Sequence, residues 1–368
     1  MVPLSSSQAD RAYGALLGLA IGDALGMPTQ GLSRALIKSR WGVLDDFVAA
    51  PDDNPISRSM PAGRVTDDTD QALILGRLLV SGGGTLDAYA LAAALLEWQR
   101  ELVEQGSIDL LGPSTLRALR ALQTGVPIEE TGRDGDTNGA AMRIAPVGVA
   151  TSHEPLLALV DAVEEASRLT HNTGAAIAGA AAIAAAVSAG VGGLSTTVAL
   201  DCALAAARRG AVRGTCSDGA GVADRVERAV DLVTAARTPA DVLDVVDRLV
   251  GTSLATHESV PAALALVAAF PGEPWEVCRH AASVGGDCDT IAAMAGAVAG
   301  ALNGAAAFPP AAVATLLAAN RDLELERLSR DLLALRGGPL RPPEGDASTS
   351  ACRVVTSSTA EEPEQDPK

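Results

Sequence analysis

Two long stretches without a charged residue constrain the fold of this chain more than any other feature. They cover 172–200 and 290–320, and Ala and Gly dominate both. Each is long enough to cross a bilayer, but membrane-spanning helices are richer in Leu and Ile. Gly or Pro also interrupts both stretches. We therefore expect two buried helical regions of a globular body, and no association with a membrane.

Composition excludes several other classes of protein. Of the 368 residues, 48% are hydrophobic, which is enough for a large core, while only 2% are aromatic. Sandwiches and barrels need more β-branched and aromatic residues, so we expect an all-α fold. A net charge of -17 argues against a nucleic-acid-binding surface. The five cysteines include no CxxC pair, which argues against a thiolate zinc site, and no basic-then-apolar segment opens the chain. We expect a cytoplasmic protein.

Four glycines near the beginning of the chain indicate close helix packing. Gly14, Gly18, Gly22 and Gly26 recur at every fourth position, which places them on one ridge of a helix. A ridge without side chains lets a second backbone approach closely. The pattern then meets an acid, a glycine and a proline within 23–28. We interpret the first two glycines as packing positions and expect a functional loop to begin in that segment.

The rest of the chain divides into helices, one long loop and a tail. Residues 41–65 are rich in Pro, Asp and Ser and predict a loop, after which Thr66 is the expected N-cap of a helix. The region 337–368 lacks apolar periodicity and is expected to be a disordered tail. No linker divides residues 1–336, so we expect one helical domain there. Its further helices are predicted near 86–105, 113–124, 156–169, 173–190, 197–209, 220–236, 239–254, 259–269, 274–283, 289–303 and 310–335.

Two acidic clusters, at 66–69 and 285–290, each stand where a helix is expected to begin. Asp and Thr are common helix caps, so either cluster alone has a simple structural explanation. However, the adjacent Asp67 and Asp68 cannot both be the same cap. If the two helix starts meet, four carboxylates and two hydroxyls converge, and such a group needs cations to stay ionised. An all-oxygen ligand set favours Mg²⁺ or Mn²⁺, and two such ions could activate a water molecule.

Five motifs, taken in order, resemble one known family. They are GLAIGDALG at 18–26, TDDT at 66–69, NGAAMRIAPVG at 138–148, LTHN at 169–172 and GGDCDT at 285–290. This ordered set resembles the ADP-ribosylglycohydrolase family, which includes dinitrogenase-reductase-activating glycohydrolases. The resemblance implies an orthogonal all-α bundle with two divalent cations, Mg²⁺ or Mn²⁺. It also implies cleavage of the bond between ADP-ribose and an acceptor group, by a water activated at that binuclear centre.

The resemblance assigns roles to individual residues. His171 matches a histidine near the ribose, and Asp23 matches an acid whose role, structural or close to the metals, we leave open. Gln30 stands where many members carry a Glu near the metals. The implied metal ligands are Thr66, Asp67, Asp68, Asp287, Asp289 and Thr290. Catalytic roles are expected of Asp109, Asp67 and Asp289. A loop that holds the diphosphate through backbone N–H groups is matched by Asn138, Gly139, Ala140, Ala141 and Met142, and His171 and Gln30 complete the expected substrate site.

Three functions remain compatible with these residues. The first is a metal-dependent hydrolase that removes ADP-ribose from a protein side chain or from a small ADP-ribosyl compound. The second is a catalytically silent ADP-ribose or nucleotide binder on the same fold, because the amide of Gln30 can coordinate a metal but cannot take a proton. The third is a glycosidic or phosphate-ester hydrolase with another nucleotide substrate. The sequence does not predict which acceptor group is cleaved.

Overall fold

The computed structural model describes residues 6–104, 111–216 and 221–336. Asp109 and the tail at 337–368 lie outside these described residues. Within them the chain forms helices and no β-strand, with isolated bridges only at Thr137/Ala255 and Thr173/Thr215, which confirms the all-α prediction. The helices are α1 (Ser6–Gly26), α2 (Arg34–Arg40), α3 (Asp67–Ser81), α4 (Ala88–Glu104), α5 (Pro113–Gln123), α6 (Ile128–Thr131), α7 (Gly139–Met142), α8 (Ala145–Ala150), α9 (Leu156–Ser167), α10 (Gly174–Val191), α11 (Thr196–Gly210), α12 (Val222–Thr234), α13 (Pro239–Val245), α14 (Thr256–Ala269), α15 (Pro274–Ala281), α16 (Cys288–Asn303), α17 (Pro310–Ala319) and α18 (Leu325–Leu335).

The glycine ridge of α1 packs directly on α16. A Cβ atom added to Gly18 would clash with the carbonyl of Gly296, and one added to Gly22 would clash with the carbonyl of Ala292. At Gly26 the added atom would clash with the backbone of Asp289. The two helices therefore touch backbone to backbone along most of their length, and the end of α1 lies against the start of α16.

Each uncharged stretch contains a buried helix, as predicted, but α17 in the second stretch has only Ala312 and Leu316 buried. Every residue of α10 except Ala175 is buried, and α16 is buried from its first residue to Ala301. Among the described residues, α10 alone is long and apolar enough to span a membrane by length and composition, and 94% of its apolar window is buried inside the protein. Its neighbours include α8, α11 and α16, so α10 is the central helix of the core.

Several predicted helix boundaries are wrong. α1 continues through Gly26, because its last glycines pack on α16 like the earlier ones. The predicted helix at 310–335 is two helices, since the side chain of Asn320 accepts from Val65 N–H and donates to the carbonyl of Gly63, which ends α17. The helix predicted at 239–254 ends in a π-helical turn at Val246–Val250. The short helices α2, α6, α7 and α8 were not predicted.

Candidate active site

The start of α3 is fixed by a buried carboxylate from α1. Asp23 accepts hydrogen bonds from the backbone N–H of Thr66, at 3.0 Å, and from that of Thr69, at 3.1 Å. Both threonine hydroxyls also donate to it. Thr66 is the N-cap of α3, as predicted, and its hydroxyl accepts from Asp68 N–H. Asp23 therefore holds the helix that presents Asp67 and Asp68, which gives it a structural role.

The start of α16 is fixed by two glycines in the left-handed region. Gly285 has φ +90° and Gly286 has φ +69°, and a side chain on either would meet neighbouring backbone. Gly286 N–H donates to Leu32, and Asp287 N–H donates to Thr252, at 2.8 Å. This Gly-Gly turn directs the first turn of α16 towards the first turn of α3.

The two acidic clusters meet in space. The hydroxyl of Thr290 donates to Asp68 Oδ2 at 3.3 Å, which joins α16 to α3 directly. Asp68 Oδ1 and Asp289 Oδ1 are buried, and neither has a hydrogen-bond partner among the described residues. Buried carboxylate oxygens without a partner are costly, so both atoms are available to a ligand that carries positive charge.

Burial raises the pKa of every acid in this cluster, and repulsion adds to the shift at Asp67, Asp68 and Asp289. Desolvation and the charge of Asp289 place the pKa of Asp68 well above its ordinary value. Desolvation and Asp287 do the same for the pKa of Asp289, and desolvation and Asp23 for the pKa of Asp67. Desolvation raises the pKa of Asp23 and of Asp287 to about 6, although hydrogen bonds to both oppose the shift. The cluster is therefore expected to hold protons at neutral pH unless a cation compensates its charge.

The residues expected to bind metal are thus adjacent without forming a ready coordination sphere. Over 6–104, 111–216 and 221–336, no three carboxylate, imidazole or thiol groups are arranged as a set that could hold a metal ion. Asp67 Oδ2 accepts from Gln71 Nε2 at 2.9 Å, and Asp287 Oδ2 accepts from Asn138 Nδ2 at 2.5 Å. Rotation of these acidic side chains would be needed to gather their oxygens around ions. The donor chemistry, all oxygen and mostly acidic, fits hard divalent cations.

A cleft opens next to the acidic cluster. Gln30 lies on its wall, and its Nε2 is buried with no hydrogen-bond partner among the described residues. That amide can donate to a bound molecule. Leu111 and Gly112, which follow Asp109 in the sequence, also border the cleft. The complete lining is Gln30, Ile56, Asp67, Leu111, Gly112, Pro113, Thr115, Thr137, Asn138, Gly139, Met142, His171, Leu254, Asp287, Asp289 and Thr290.

His171 borders this cleft, and both of its ring nitrogens contact threonine hydroxyls. Its Nδ1 is 2.7 Å from Thr170 Oγ1, and its Nε2 is 3.0 Å from Thr137 Oγ1. A Cβ atom at position 139 would clash with the imidazole, so this approach requires Gly139. Burial and the charges of Arg143 and then Arg117 lower the pKa of His171 well below its ordinary value. The imidazole is therefore neutral at physiological pH.

The expected diphosphate loop is a short helix with some of its donors already occupied. Asn138 N–H donates to Leu254, and Met142 N–H donates to the carbonyl of Asn138. Ala140 is buried and does not line the cleft. Of the expected backbone donors that reach the cleft, Gly139 is the one whose N–H these bonds leave available. The side chain of Asn138 instead donates to Asp287 and to Ser259.

Residues behind the cleft were missed by the sequence analysis. Arg143 is fully buried and donates to Gln71 Oε1 at 3.0 Å and to Thr170 Oγ1 at 2.6 Å. Desolvation lowers its pKa to about 10, so it remains a cation at neutral pH. The signal was present in the sequence, because Arg143 is the one charged residue within 137–152. An arginine inside such an apolar segment indicates a buried cation with assigned partners.

Comparison with known proteins assigns this fold to a family. The family model of that description, ADP-ribosylglycohydrolase, matches residues 4–341, and the chain belongs to this family. The resemblance drawn from the five motifs is thereby confirmed. A solved structure described as an ADP-ribosylglycohydrolase-related protein complex is similar to this chain with a TM-score of 0.66 and 28% identity. The match covers 90% of this chain and 99% of that one.

Relatives from several bacteria are similar over different lengths. The uncharacterized protein YegU of Escherichia coli strain K12 is 35% identical, over 89% of this chain and 97% of its own length. The ADP-ribosylarginine hydrolase Tri1 of Pseudomonas putida strain GB-1 is 29% identical, over 82% of this chain and 72% of its own. The ADP-ribosyl-[dinitrogen reductase] glycohydrolase of Rhodospirillum rubrum is 32% identical, over 44% of this chain and 52% of its own. The family supports a hydrolase of ADP-ribosyl compounds.

Proposed function

We propose that this protein is a metal-dependent hydrolase that cleaves ADP-ribose from an acceptor group. The observation that carries the proposal is the meeting of two acidic helix starts in one cleft, in a chain of this family. Asp68 Oδ1 and Asp289 Oδ1 contribute buried acceptors that have no partner in the described part of the chain. The residues proposed to hold two divalent cations, Mg²⁺ or Mn²⁺, are Thr66, Asp67, Asp68, Asp287, Asp289 and Thr290.

The metal proposal has electrostatic support. Burial raises the pKa of the four carboxylates at the two helix starts, and repulsion adds to the shift at three of them. Ionising all four therefore costs free energy, and bound divalent cations would offset that cost. When bound, the cations would supply Lewis acidity and make water more acidic near neutral pH. Gln71 and Asn138 would release or share the oxygens of Asp67 and Asp287 that they now contact.

The residues of the chain would contribute position and charge. Cleavage at an anomeric carbon builds positive charge on the sugar ring, and the carboxylates of Asp67 and Asp287 at the cleft would stabilise it. We propose that Asp109 takes a proton from the attacking water. Gln30 can hydrogen-bond the ligand through its free amide but cannot take that proton. Gly139 N–H and His171 would bind the remainder of the ligand.

The proposed substrate is an ADP-ribosylated protein or a small ADP-ribosyl compound. The names of the relatives refer to ADP-ribosylarginine and to ADP-ribosyl-[dinitrogen reductase], which supports a substrate that carries ADP-ribose. The proposal names no acceptor, because the names of the relatives differ in the acceptor they give.

The test combines binding with turnover. Protein stripped with a chelator and reloaded with Mn²⁺ is titrated with ADP-ribose by calorimetry, then assayed on arginine, serine, nucleobase and small-molecule linkages. We expect binding and turnover that both depend on the metal, and loss of turnover in Asp68→Asn. Asp87→Asn is the matched control, since Asp87 is an exposed acid that caps α4 by accepting from Tyr89 N–H.

Other outcomes would select the rival functions. Binding of ADP-ribose without turnover on any linkage would support the silent binder, the role that Gln30 keeps open. Turnover of a different nucleotide linkage would support the third reading of the sequence. Absence of both binding and turnover in the metal-loaded protein would contradict the proposal.

A further inference from the structure

A series of buried hydrogen bonds links the acidic cluster to His171. Gln71 donates to Asp67 and accepts from Arg143, and Arg143 donates in turn to Thr170 Oγ1. Thr170 Oγ1 is 2.7 Å from His171 Nδ1. Gln71, Arg143 and Thr170 are fully buried, so water does not substitute for the bonds that join them.

The direction of the bond between Thr170 and His171 follows from counting protons. A hydroxyl carries one proton and accepts with two lone pairs, and a guanidinium can only donate. Thr170 therefore accepts from Arg143 and keeps one proton. Within the described residues, the other hydrogen-bonding group at that oxygen is His171 Nδ1. If Nδ1 carried a proton, the hydroxyl proton would be buried without an acceptor, which is unfavourable.

On the other side of the imidazole, a protonated Nε2 has an acceptor in the hydroxyl of Thr137. His171 Nε2 can donate to Thr137 Oγ1 at 3.0 Å. Thr137 Oγ1 is also 3.0 Å from the hydroxyl of the buried Ser114, which accepts from Arg117 at 3.3 Å. The spare hydroxyl proton then falls on this side of the ring, where Thr137 is half-buried and lines the cleft. A proton exposed to the cleft can find water or a ligand. The tautomer with the proton on Nε2 is therefore the favourable one.

We infer that Thr170, with one lone pair occupied by Arg143, holds His171 as the Nε2–H tautomer, so that the imidazole donates to Thr137 and the Thr137 hydroxyl is left as a donor to the cleft. Thr170 is thus a positioning residue that acts through His171. The donor suits a ligand oxygen acceptor, either hydroxyl or phosphate. Only the identity of that ligand rests on the proposed function, since the tautomer belongs to the free protein.

The tautomer is tested directly by nitrogen NMR. Full-length protein labelled with ¹⁵N-histidine is loaded with Mg²⁺, which is diamagnetic, and two-bond proton–nitrogen correlations are recorded. His171→Gln assigns the signals of His171 among the four histidines. We expect Nε2 to be the protonated nitrogen and Nδ1 to be the bare one. A protonated Nδ1 with a bare Nε2 would overturn the inference.

Three threonine variants test whether Thr170 holds the ring. Thr170→Val keeps the shape but removes the hydroxyl, and we expect the His171 signals to shift towards a mixture of tautomers. Thr170→Ser restores the hydroxyl and should restore the wild-type signals. Thr131→Val is the matched control, because the buried Thr131 donates to Ile128 and Leu169 carbonyls and does not contact the imidazole. Unchanged signals in Thr170→Val would contradict the inference.

Ligand binding separates this inference from the proposed function. In the metal-loaded protein, Thr170→Val should weaken ADP-ribose binding about tenfold and Thr170→Ser should not, because a misdirected donor leaves a ligand oxygen unsatisfied. Equal affinity of Thr170→Val and wild type would overturn the assigned role of the donor. If wild-type protein fails to bind ADP-ribose at all, the proposed function fails, while the NMR result still decides the tautomer.

Discussion

Asp289 could serve either its helix or a metal, and its surroundings favour the metal. The N-cap residue Asp287 makes no side-chain capping bond to the backbone of α16, and Asp289 Oδ1 is buried without a hydrogen-bond partner among the described residues. A capping role would cost about 1 kcal/mol of stability on removal. Asp289→Ala is therefore expected to lower Mn²⁺ affinity more than tenfold while leaving the melting temperature of the metal-free protein unchanged or higher, since one repelling charge is gone.

Calorimetric titration of Mn²⁺ and thermal melting in chelator measure these two quantities. Normal metal stoichiometry and activity in Asp289→Ala would leave only a structural role for this acid. Asp87→Asn again serves as control, and it should change neither stability nor metal affinity by much, because Asn caps a helix about as well as Asp.

The acidic cluster predicts how stability depends on pH. Asp23 and Asp287 have folded-state pKa values of about 6, raised from 3.8. Between these values the folded state binds more protons than the unfolded state, so the free energy of unfolding falls as pH rises from about 4 through 6. The acids with larger shifts continue this fall towards neutral pH. Saturating Mn²⁺ favours the ionised acids and should remove the loss.

Melting temperatures measured from pH 4.5 to 8, with chelator and with Mn²⁺, check this prediction. The two curves should diverge as pH rises. Parallel curves would indicate that the cluster does not bind the added ion.

Asp109 is the proposed proton acceptor, and Gln30 is proposed to contact the ligand. If Asp109 takes the proton, Asp109→Asn should lower kcat by up to 10²- to 10⁴-fold and change ADP-ribose affinity little. Gln30→Glu should preserve or raise turnover on some linkages, because a carboxylate can both bind metal and take a proton. Steady-state kinetics and calorimetry on both variants supply the comparison. Full activity of Asp109→Asn on the best substrate would make the assignment wrong.

At the scale of elements, the contact between α1 and α16 sets where the two acidic starts lie. Gly18→Ala and Gly26→Ala each place a methyl group against backbone, and overpacking of this kind costs about 1 to 3 kcal/mol. Both variants should melt at lower temperature. Only Gly26 contacts Asp289, so only Gly26→Ala should also weaken Mn²⁺ binding.

Gly76→Ala is the control for the glycine prediction. Its added methyl would meet side-chain atoms of Leu328 and Pro146 instead of backbone, and the end of a leucine can shift. We expect a small change in melting temperature and none in metal affinity. Equal Mn²⁺ affinities for Gly18→Ala and Gly26→Ala would show that the contact does not position Asp289.

Long helices were predictable and the connections between them were not. The four-residue spacing of Gly14 to Gly26 and the N-cap at Thr66 follow from local rules, and both were confirmed. Short helices such as α2 and α7 depend on tertiary contacts, because too few residues share the cost of nucleation. The bond from Thr66 N–H to Asp23 spans 43 positions, and no local rule reports such a pairing.

The same distinction holds for the site. The two acidic clusters could be recognised from the types of residue and the resemblance, whereas the partners of His171 could not. Arg143 and Thr170 are separated from each other by 27 positions and meet only through the fold. The metal-binding role of the acidic clusters and the substrate-binding role of His171 stay predictions.

For the whole molecule, Arg336, the last described residue, marks how far the chain can be truncated without loss of stability. Arg336 donates to the carbonyls of Gly148, Val149 and Ser188, so it closes α8 against α10. Deletion of 337–368 keeps these bonds and removes a segment without apolar periodicity. Melting temperature and activity in reducing buffer should both stay nearly unchanged.

Arg336→Ala in the full chain is the contrasting variant. It leaves three buried carbonyls with fewer donors and should lower the melting temperature. A large loss of stability or activity on deletion of 337–368 would show instead that this segment docks on the helical body.

The bare contact between α1 and α16 also has a consequence for protein design. Where two main chains touch, their spacing is set by the van der Waals radii of backbone atoms and does not depend on the rotamers of intervening side chains. Core substitutions elsewhere can therefore accumulate without altering the separation between Asp23 and Asp289. A designer who grafts this site onto a new scaffold would have to copy the two glycine-lined backbones, because the six oxygen-bearing side chains alone carry no information about their distance.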